Sequence, residues 1–252
     1  MSGYRGTWEE LGATDPYFAV LTEDRYRSAR LDANALDTFF ASGRDHAARV
    51  LTVARSLEPG FTPRRALDFG CGVGRVAIPF AAACEHVVGT DASPAMLERA
   101  RLHADEAGVT NLELVRTGDT LAELPGSFDF IHSFAVLQHI PVGTGMALLR
   151  HLLSRLSDGG IAALHLTYAR HSRRAPLLRW ARANITLLHR AANLLTGRPW
   201  REPYMQMNCY DLNAVLAAFR AAGCGRLALR FTTHGDAEGV FIFGQRRREE
   251  EV

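Results

Sequence analysis

A chain of 252 residues, 47% hydrophobic and 22% charged, is long enough to bury a single core without disulfide or metal staples. Its basic and acidic residues nearly cancel, at a formal charge of +2, which argues against a nucleic-acid binder. All 29 basic residues are arginine; without lysine, Schiff-base and pyridoxal-phosphate chemistry and the lysine of a phosphate-binding P-loop are excluded.

Residues 1–60 read as a helical N-terminal cap rich in aromatics (Trp8, Tyr17, Phe18, Tyr26, Phe39, Phe40). A helical stripe of Ala47, Val50, Leu51, Ala54 and Leu57 ends at Glu58-Pro59-Gly60. From residue 61 a core is expected in which short apolar runs alternate with helices. Strands are predicted at Ala66–Phe69, His86–Gly89, Leu112–Val115, Phe128–Ser133 and Ile161–Leu166, with helices near 74–83, 94–107 and 144–156. This alternation argues for a doubly wound α/β fold with a mostly parallel sheet. An insert, about 169–203, precedes a helix near 211–222. Two further strands, Arg226–Thr233 and Val240–Gln245, are too closely spaced for a crossover, so an antiparallel hairpin closes a seven-stranded sheet.

The four cysteines, Cys71, Cys84, Cys209 and Cys224, form no Cys-x-x-Cys pair and are expected to be free thiols. The histidines lack zinc-ligand spacing, so no metal is expected. No secretory signal is recognisable and no apolar run approaches the roughly eighteen residues a bilayer span needs, so a cytoplasmic location is expected.

The most informative segment is Asp68-Phe69-Gly70-Cys71-Gly72-Val73-Gly74, a strand entering a glycine-rich turn before a helix. Its Gly-x-Gly-x-Gly spacing is not the Gly-x-Gly-x-x-Gly that seats a pyrophosphate. Asp68 would repel a pyrophosphate and attract a cation. Val87-Val88-Gly89-Thr90-Asp91 ends the second strand in an acid at the distance suited to ribose hydroxyls. Gly118-Asp119 follows the third strand.

With these motifs the sequence resembles the class I S-adenosylmethionine-dependent methyltransferases over residues 65–168, and in the pattern of the closing helix and hairpin. The resemblance implies a Rossmann-like methyltransferase fold and S-adenosylmethionine as cofactor. It implies that Asp68, Gly70, Gly72 and Gly74 cradle the methionine part, with Cys71 a small filler of that loop. It also implies that Asp91 binds the ribose, Ala92 and Met96 line the adenine side, Gly118 and Asp119 contact the adenine, and Ser133 and Phe134 lie along the methionine moiety.

Methyl transfer from a sulfonium is an in-line displacement in which alignment supplies much of the rate. A base is required only where the acceptor loses a proton early. His139, in Val136-Leu137-Gln138-His139-Ile140-Pro141, is one candidate, with a packing or helix-start role as its other reading; His165 and Tyr168, expected to point from the fifth strand toward the mouth, are others. Enzymes of this family that methylate exocyclic base amines carry Asn/Asp-Pro-Pro-Tyr/Phe after strand four; Ser133-Phe134-Ala135-Val136 stands there instead, so nucleic acid is not the expected partner. Asp129 is read as a strand-edge acid.

The insert holds eight arginines, at 170, 173, 174, 179, 182, 190, 198 and 201, and no acid occurs between Gly159 and Arg201. A helix between Pro176 and Gly197 would carry an apolar stripe (Leu177, Leu178, Ala181, Ile185, Leu188, Ala192, Leu195) opposite Arg179, Arg182, Thr186 and Arg190. Three roles are open for it: a packed surface helix, a lid with Arg170, Arg173, Arg174 and Tyr204 on an anionic acceptor, or a membrane-surface contact. The expected function is methyl transfer to oxygen or nitrogen of a small or medium-sized, anionic or lipid-like metabolite. The alternatives are a nicotinamide oxidoreductase, which the glycine spacing and the impossibility of a Tyr-x-x-x-Lys pair disfavour, and a non-catalytic cofactor-binding or membrane-associated protein.

Overall fold

The computed structural model describes residues 3–118, 120–171, 186–195, 199–200 and 202–248. Seven strands form one sheet: β1 (Arg65–Phe69), β2 (His86–Asp91), β3 (Leu112–Arg116), β4 (Phe128–Ser133), β5 (Leu156–Arg170), β6 (Cys224–His234) and β7 (Ala237–Arg246). Their order is 3-2-1-4-5-7-6; β7 runs antiparallel to both neighbours, and the other pairs are parallel. The order reverses between β1 and β4, where open α/β sheets leave a crevice at the strands' C-terminal ends.

Eight α-helices are described: α1 (Gly3–Thr14), α2 (Pro16–Val20), α3 (Ala33–Leu57), α4 (Ala77–Ala81), α5 (Pro94–Glu106), α6 (Val142–Ser154), α7 (Thr186–Leu195) and α8 (Leu212–Ala221). Local chemistry sets their starts. Asp32 accepts from Ala35 N at the start of α3, Ser93 from Met96 N at that of α5, and Asp211 from Asn213 N at that of α8. Pro94 occupies the first turn of α5, where its missing N–H costs nothing.

Strand alternation divides the core. Leu67, Ile131, Leu164 and Ile242 pack with α6 and α8, whereas Ala66, Phe130, Ile161 and Phe243 pack with α3 and α4. A third cluster joins Leu11, Tyr17, Tyr26 and Phe39 of the N-terminal segment to Val73 and Met96, binding that segment to the glycine loop.

The predicted order of elements holds, with differences at the ends. The helix expected at 74–83 is only α4, because Gly74 (φ 83°) is still turning the chain. β5 is longer than expected, and β6 and β7 run up to a two-residue Gly235-Asp236 turn, so most of the expected 234–239 loop is strand. Asp129 is the strand-edge acid expected: it accepts from Arg64 N, Arg65 N and the Ser157 hydroxyl.

Candidate cofactor and acceptor site

The glycine loop leaves β1 with Gly70, Gly72 and Gly74 all in the left-handed region (φ 76°, 55° and 83°), which a side chain would resist. A Cβ at Gly70 would also overlap Val136, and one at Gly72 would come within 2.9 Å of Val20. Gly70 N and Cys71 N both donate to Thr90 O at 2.8 Å, tying the loop to the end of β2. Asp91 completes the tie: Gly72 N reaches Oδ2 at 3.0 Å and Ser93 N reaches Oδ1 at 2.9 Å. Burial raises the Asp91 pKa, and the backbone donors of Ser93, Gly72 and Ala92 oppose that rise. A carboxylate offers about four lone-pair positions, so two bonds leave capacity for a vicinal diol. The residues present fit a nucleoside with an amino-acid tail. The Cys71 thiol is buried and pushed well up by desolvation and the two nearby aspartates, as suits a filler and not a nucleophile.

At the head of the loop, Asp68 is 3% exposed and accepts from His132 Nδ1 at 2.7 Å; His132 Nε2 lies 3.0 Å from His46 Nε2 on α3. Ser133 is fully buried, and its hydroxyl donates to Phe69 O, bracing β4 against β1 instead of lining an open surface. The Phe134 ring lies among His46, His165 and Phe241, on the α3 side of the sheet. The next residue, Ala135, has φ 59°, a strained value for a non-glycine residue, at the switch point itself.

α1 roofs the crevice. Trp8 meets His139 edge-on with centroids 4.8 Å apart, Gly12 sits against Ser93 and Met96, and the Arg5 guanidinium lies over Gly118. Met96 is 3% exposed beneath this roof, on the side where the adenine was expected. Asp119 lies outside the described residues.

His139 is half-buried in the 3-10 turn Leu137–His139, and its Nδ1 donates to Gln206 O at 2.8 Å. The Thr167 hydroxyl donates to Gln138 Oε1 at 3.0 Å, which turns the Gln138 amide nitrogen toward His139 Nε2 at 3.4 Å. Nε2 therefore carries the lone pair. Burial lowers the His139 pKa to about 4, so the ring is neutral near pH 7. The extended segment 202–210 holds this turn: Gln206 Nε2 donates to His139 O, Asn208 Nδ2 to Ile140 O, and the fully buried Tyr210 hydroxyl to Leu137 O.

His165 does not reach the mouth as expected. Paired with Phe241 across the sheet, it faces α3 with no exposure; its Nε2 meets Thr232 Oγ1 at 2.9 Å, and burial lowers its pKa to about 3. Tyr168 points to the other face and packs on Phe231 of edge strand β6, away from the glycine loop. Arg170 is spent on both carboxylate oxygens of Asp236 at 2.9 Å, so the hairpin turn, not an acceptor, holds its charge. Tyr204 packs edge-on to His189, 5.4 Å between centroids. Arg173 and Arg174 lie outside the described residues, as do Arg179, Arg182, Arg198 and Arg201.

The described part of the insert helix, α7, does not pack by the apolar stripe as a packed surface helix would. His189 and Asn193 are buried, whereas Leu188, Leu194 and Leu195 are 38%, 60% and 89% exposed. The polar pair faces inward because it meets the returning chain: His189 Nε2 donates to Glu202 O at 2.7 Å, and the Asn193 amide to the same oxygen at 2.9 Å. Glu202 is also gripped by Arg27 Nη2 at 2.8 Å, linking insert and N-terminal segment.

A family profile described as a methyltransferase domain matches residues 40–224. The chain belongs to this methyltransferase family. Curated relatives include the ubiquinone biosynthesis O-methyltransferase of Xanthomonas euvesicatoria, 37% identical over 97 residues (38% of this chain, 40% of that protein). The namesake from a Chelativorans species is 41% identical over 86 residues, 34% of each chain. This chain thus spans well under half the length of these relatives. Among solved structures, the magnesium protoporphyrin IX methyltransferase of Synechocystis with bound S-adenosylhomocysteine superposes with a TM-score of 0.58 at 21% identity, covering 93% of this chain and 98% of that one. At such identity the match speaks for the fold, with the seven-stranded order and antiparallel β7 expected of class I S-adenosylmethionine-dependent methyltransferases.

The aromatic N-terminal segment was expected as a wall of the acceptor site, and Trp8 lies there against His139; sequence reasoning missed His46, His132, Gln138 and Gln206. His46 and His132 carried a readable signal, a histidine inside an otherwise apolar helix face and an apolar strand. Gln206 carried none, since only folding brings it to His139. The open cleft lined by Thr62, Pro63, Arg64 and Cys84 lies at the opposite, N-terminal ends of β1 and β2.

Proposed function

We propose that the chain transfers a methyl group from S-adenosylmethionine to an oxygen or nitrogen of a small or medium-sized acceptor. The observation that carries this reading is the loop of three left-handed glycines tied by Asp91 to the end of β2, at the switch point of a methyltransferase-family sheet. When bound, the cofactor supplies an electrophilic methyl on a sulfonium. The glycine loop and Asp68 hold its methionine end, Asp91 takes the ribose hydroxyls, and Ala92, Met96 and Gly118 border the base. Trp8, His139 and segment 202–210 form the acceptor side under the roof of α1. The neutral His139 takes a proton at Nε2 from a hydroxyl acceptor that displaces the long 3.4 Å contact from the Gln138 amide, its ring held by the Nδ1 bond to Gln206 O. Oxygen is the favoured acceptor atom, in keeping with the O-methyltransferase relatives.

The test is thermal unfolding with S-adenosylmethionine, S-adenosylhomocysteine and NAD added separately. Ligand at about a hundred times its dissociation constant stabilises by about 2.7 kcal/mol, and Asp91→Ala should abolish the gain. A response to NAD alone refutes the reading. A lipid-like acceptor presented at an anionic surface is a second reading, favoured by the outward Leu194 and Leu195 beside an arginine-rich segment. It predicts salt-sensitive binding to anionic vesicles, lost when Leu194 and Leu195 become Ser. No helix among the described residues is long and apolar enough to cross a membrane.

A further inference from the structure

The reading of residues 68–74 as a cofactor loop gives Asp68 a role but leaves the two buried histidines behind it without one. Asp68, His132 and His46 form a continuous chain of hydrogen bonds, at 2.7 and 3.0 Å, from the head of that loop through β4 to α3. All three are at least nine-tenths buried, at 3%, 1% and 8% exposure, in a nest of Phe80, Phe134 and Phe241. A carboxylate in such a nest costs free energy that an apolar side chain would not, so packing does not explain it.

The glycine half of the loop is fixed by β2 through Thr90 and Asp91, whereas Asp68 is held from the other side. A carboxylate only accepts, so His132 Nδ1 carries the hydrogen of the first bond, and between the two rings one Nε2 donates and the other accepts. His46 is neutral, its pKa lowered to about 2 by burial and by His132. Only Oδ1 of Asp68 is used; among the described residues Oδ2 accepts no hydrogen bond. The same face of α3 grips the far end of the loop. Ser42 Oγ accepts from the buried Arg75 at 3.1 Å, and Gly43 lies directly on the Arg75 carbonyl.

We propose that His132, backed by His46, is a positioning residue that holds the Asp68 carboxylate on one oxygen and presents the other to the cationic amino-acid end of the cofactor. The inference rests on the cofactor reading above and adds a requirement for an N–H donor at position 132.

Calorimetric titration with S-adenosylhomocysteine, together with thermal unfolding of the ligand-free protein, tests it. The Phe-lined surroundings accept an aromatic ring, so His132→Phe should fold. It should weaken binding about tenfold or more, the worth of a hydrogen bond to a charged group. In His132→Asn the amide N–H lies near the place of Nδ1, and affinity should return to within about threefold of wild type. His46→Phe leaves Asp68 paired and should show a smaller loss; it decides the matter if His132→Phe does not fold. Affinity unchanged in the Phe variants, with only a lowered melting temperature, overturns the proposal. So does equal weakening by Phe and Asn at position 132. A wild-type protein that does not bind S-adenosylhomocysteine refutes the cofactor reading itself.

Discussion

His139 and Gly70 show how much single positions carry. A base acts only when deprotonated, and His139 is depressed to about pH 4. With an acceptor found by labelled-methyl uptake, kcat should therefore be flat near pH 6.5 and fall as pH drops through about 4. His139→Gln should lower kcat by about 10²–10⁴ with S-adenosylhomocysteine affinity unchanged. An inflection near 6.5 that persists in the variant would assign the base elsewhere. Gly70→Ala meets both a left-handed backbone and Val136. It should lose ligand-induced stabilisation in the thermal assay, even where the free protein remains folded.

Two elements outside the glycine loop position the site. α3 approaches the glycine loop only because residue 43 is glycine; a Cβ there would overlap the Arg75 carbonyl oxygen. Gly43→Ala should cost about 1–3 kcal/mol by the overpacking this forces, measured as a lower urea midpoint at constant m-value. The segment 202–210 is pinned at its start by Arg27 and Glu202, whose side chains are 19% and 7% exposed. Arg27→Ala should cost about 1 kcal/mol and speed hydrogen exchange across 202–210 before it speeds exchange in β1 or β4. A uniform rise across the sheet would show that the pair stabilises the fold as a whole instead of the strap. The glycine loop was legible in the sequence because its geometry follows from local backbone rules. The strap was not: Gln206 and Asn208 lie in no periodic pattern, and their side-chain hydrogen bonds go to residues 67 to 70 positions away.

At the scale of the molecule, His46, His139 and His165 are all held neutral by burial, at about 2, 4 and 3 against an ordinary 6.5. Between those values the unfolded chain binds more protons than the native one, so stability is fully present above about pH 6.5 and is lost as pH falls toward 4. Urea midpoints measured from pH 7.5 to 4.5 should decline, and His165→Phe should flatten the decline; a variant with the wild-type slope would remove His165 from this account. The order of elements, the parallel sheet with its antiparallel hairpin and the glycine loop with Asp91 were determined by the sequence alone, because hydrophobic period, turn residues and short connections are local properties. Only the tertiary structure decided what those parts face. Strand alternation turned His165 and Tyr168 away from the mouth, Asp236 took the charge of Arg170, and α7 buried His189 and Asn193 while Leu188, Leu194 and Leu195 stayed exposed. For His165 and Arg170 the partner lies 67 and 66 positions away; for α7 it is the returning chain 9 to 13 positions on, and nothing in the periodic pattern records where either will lie.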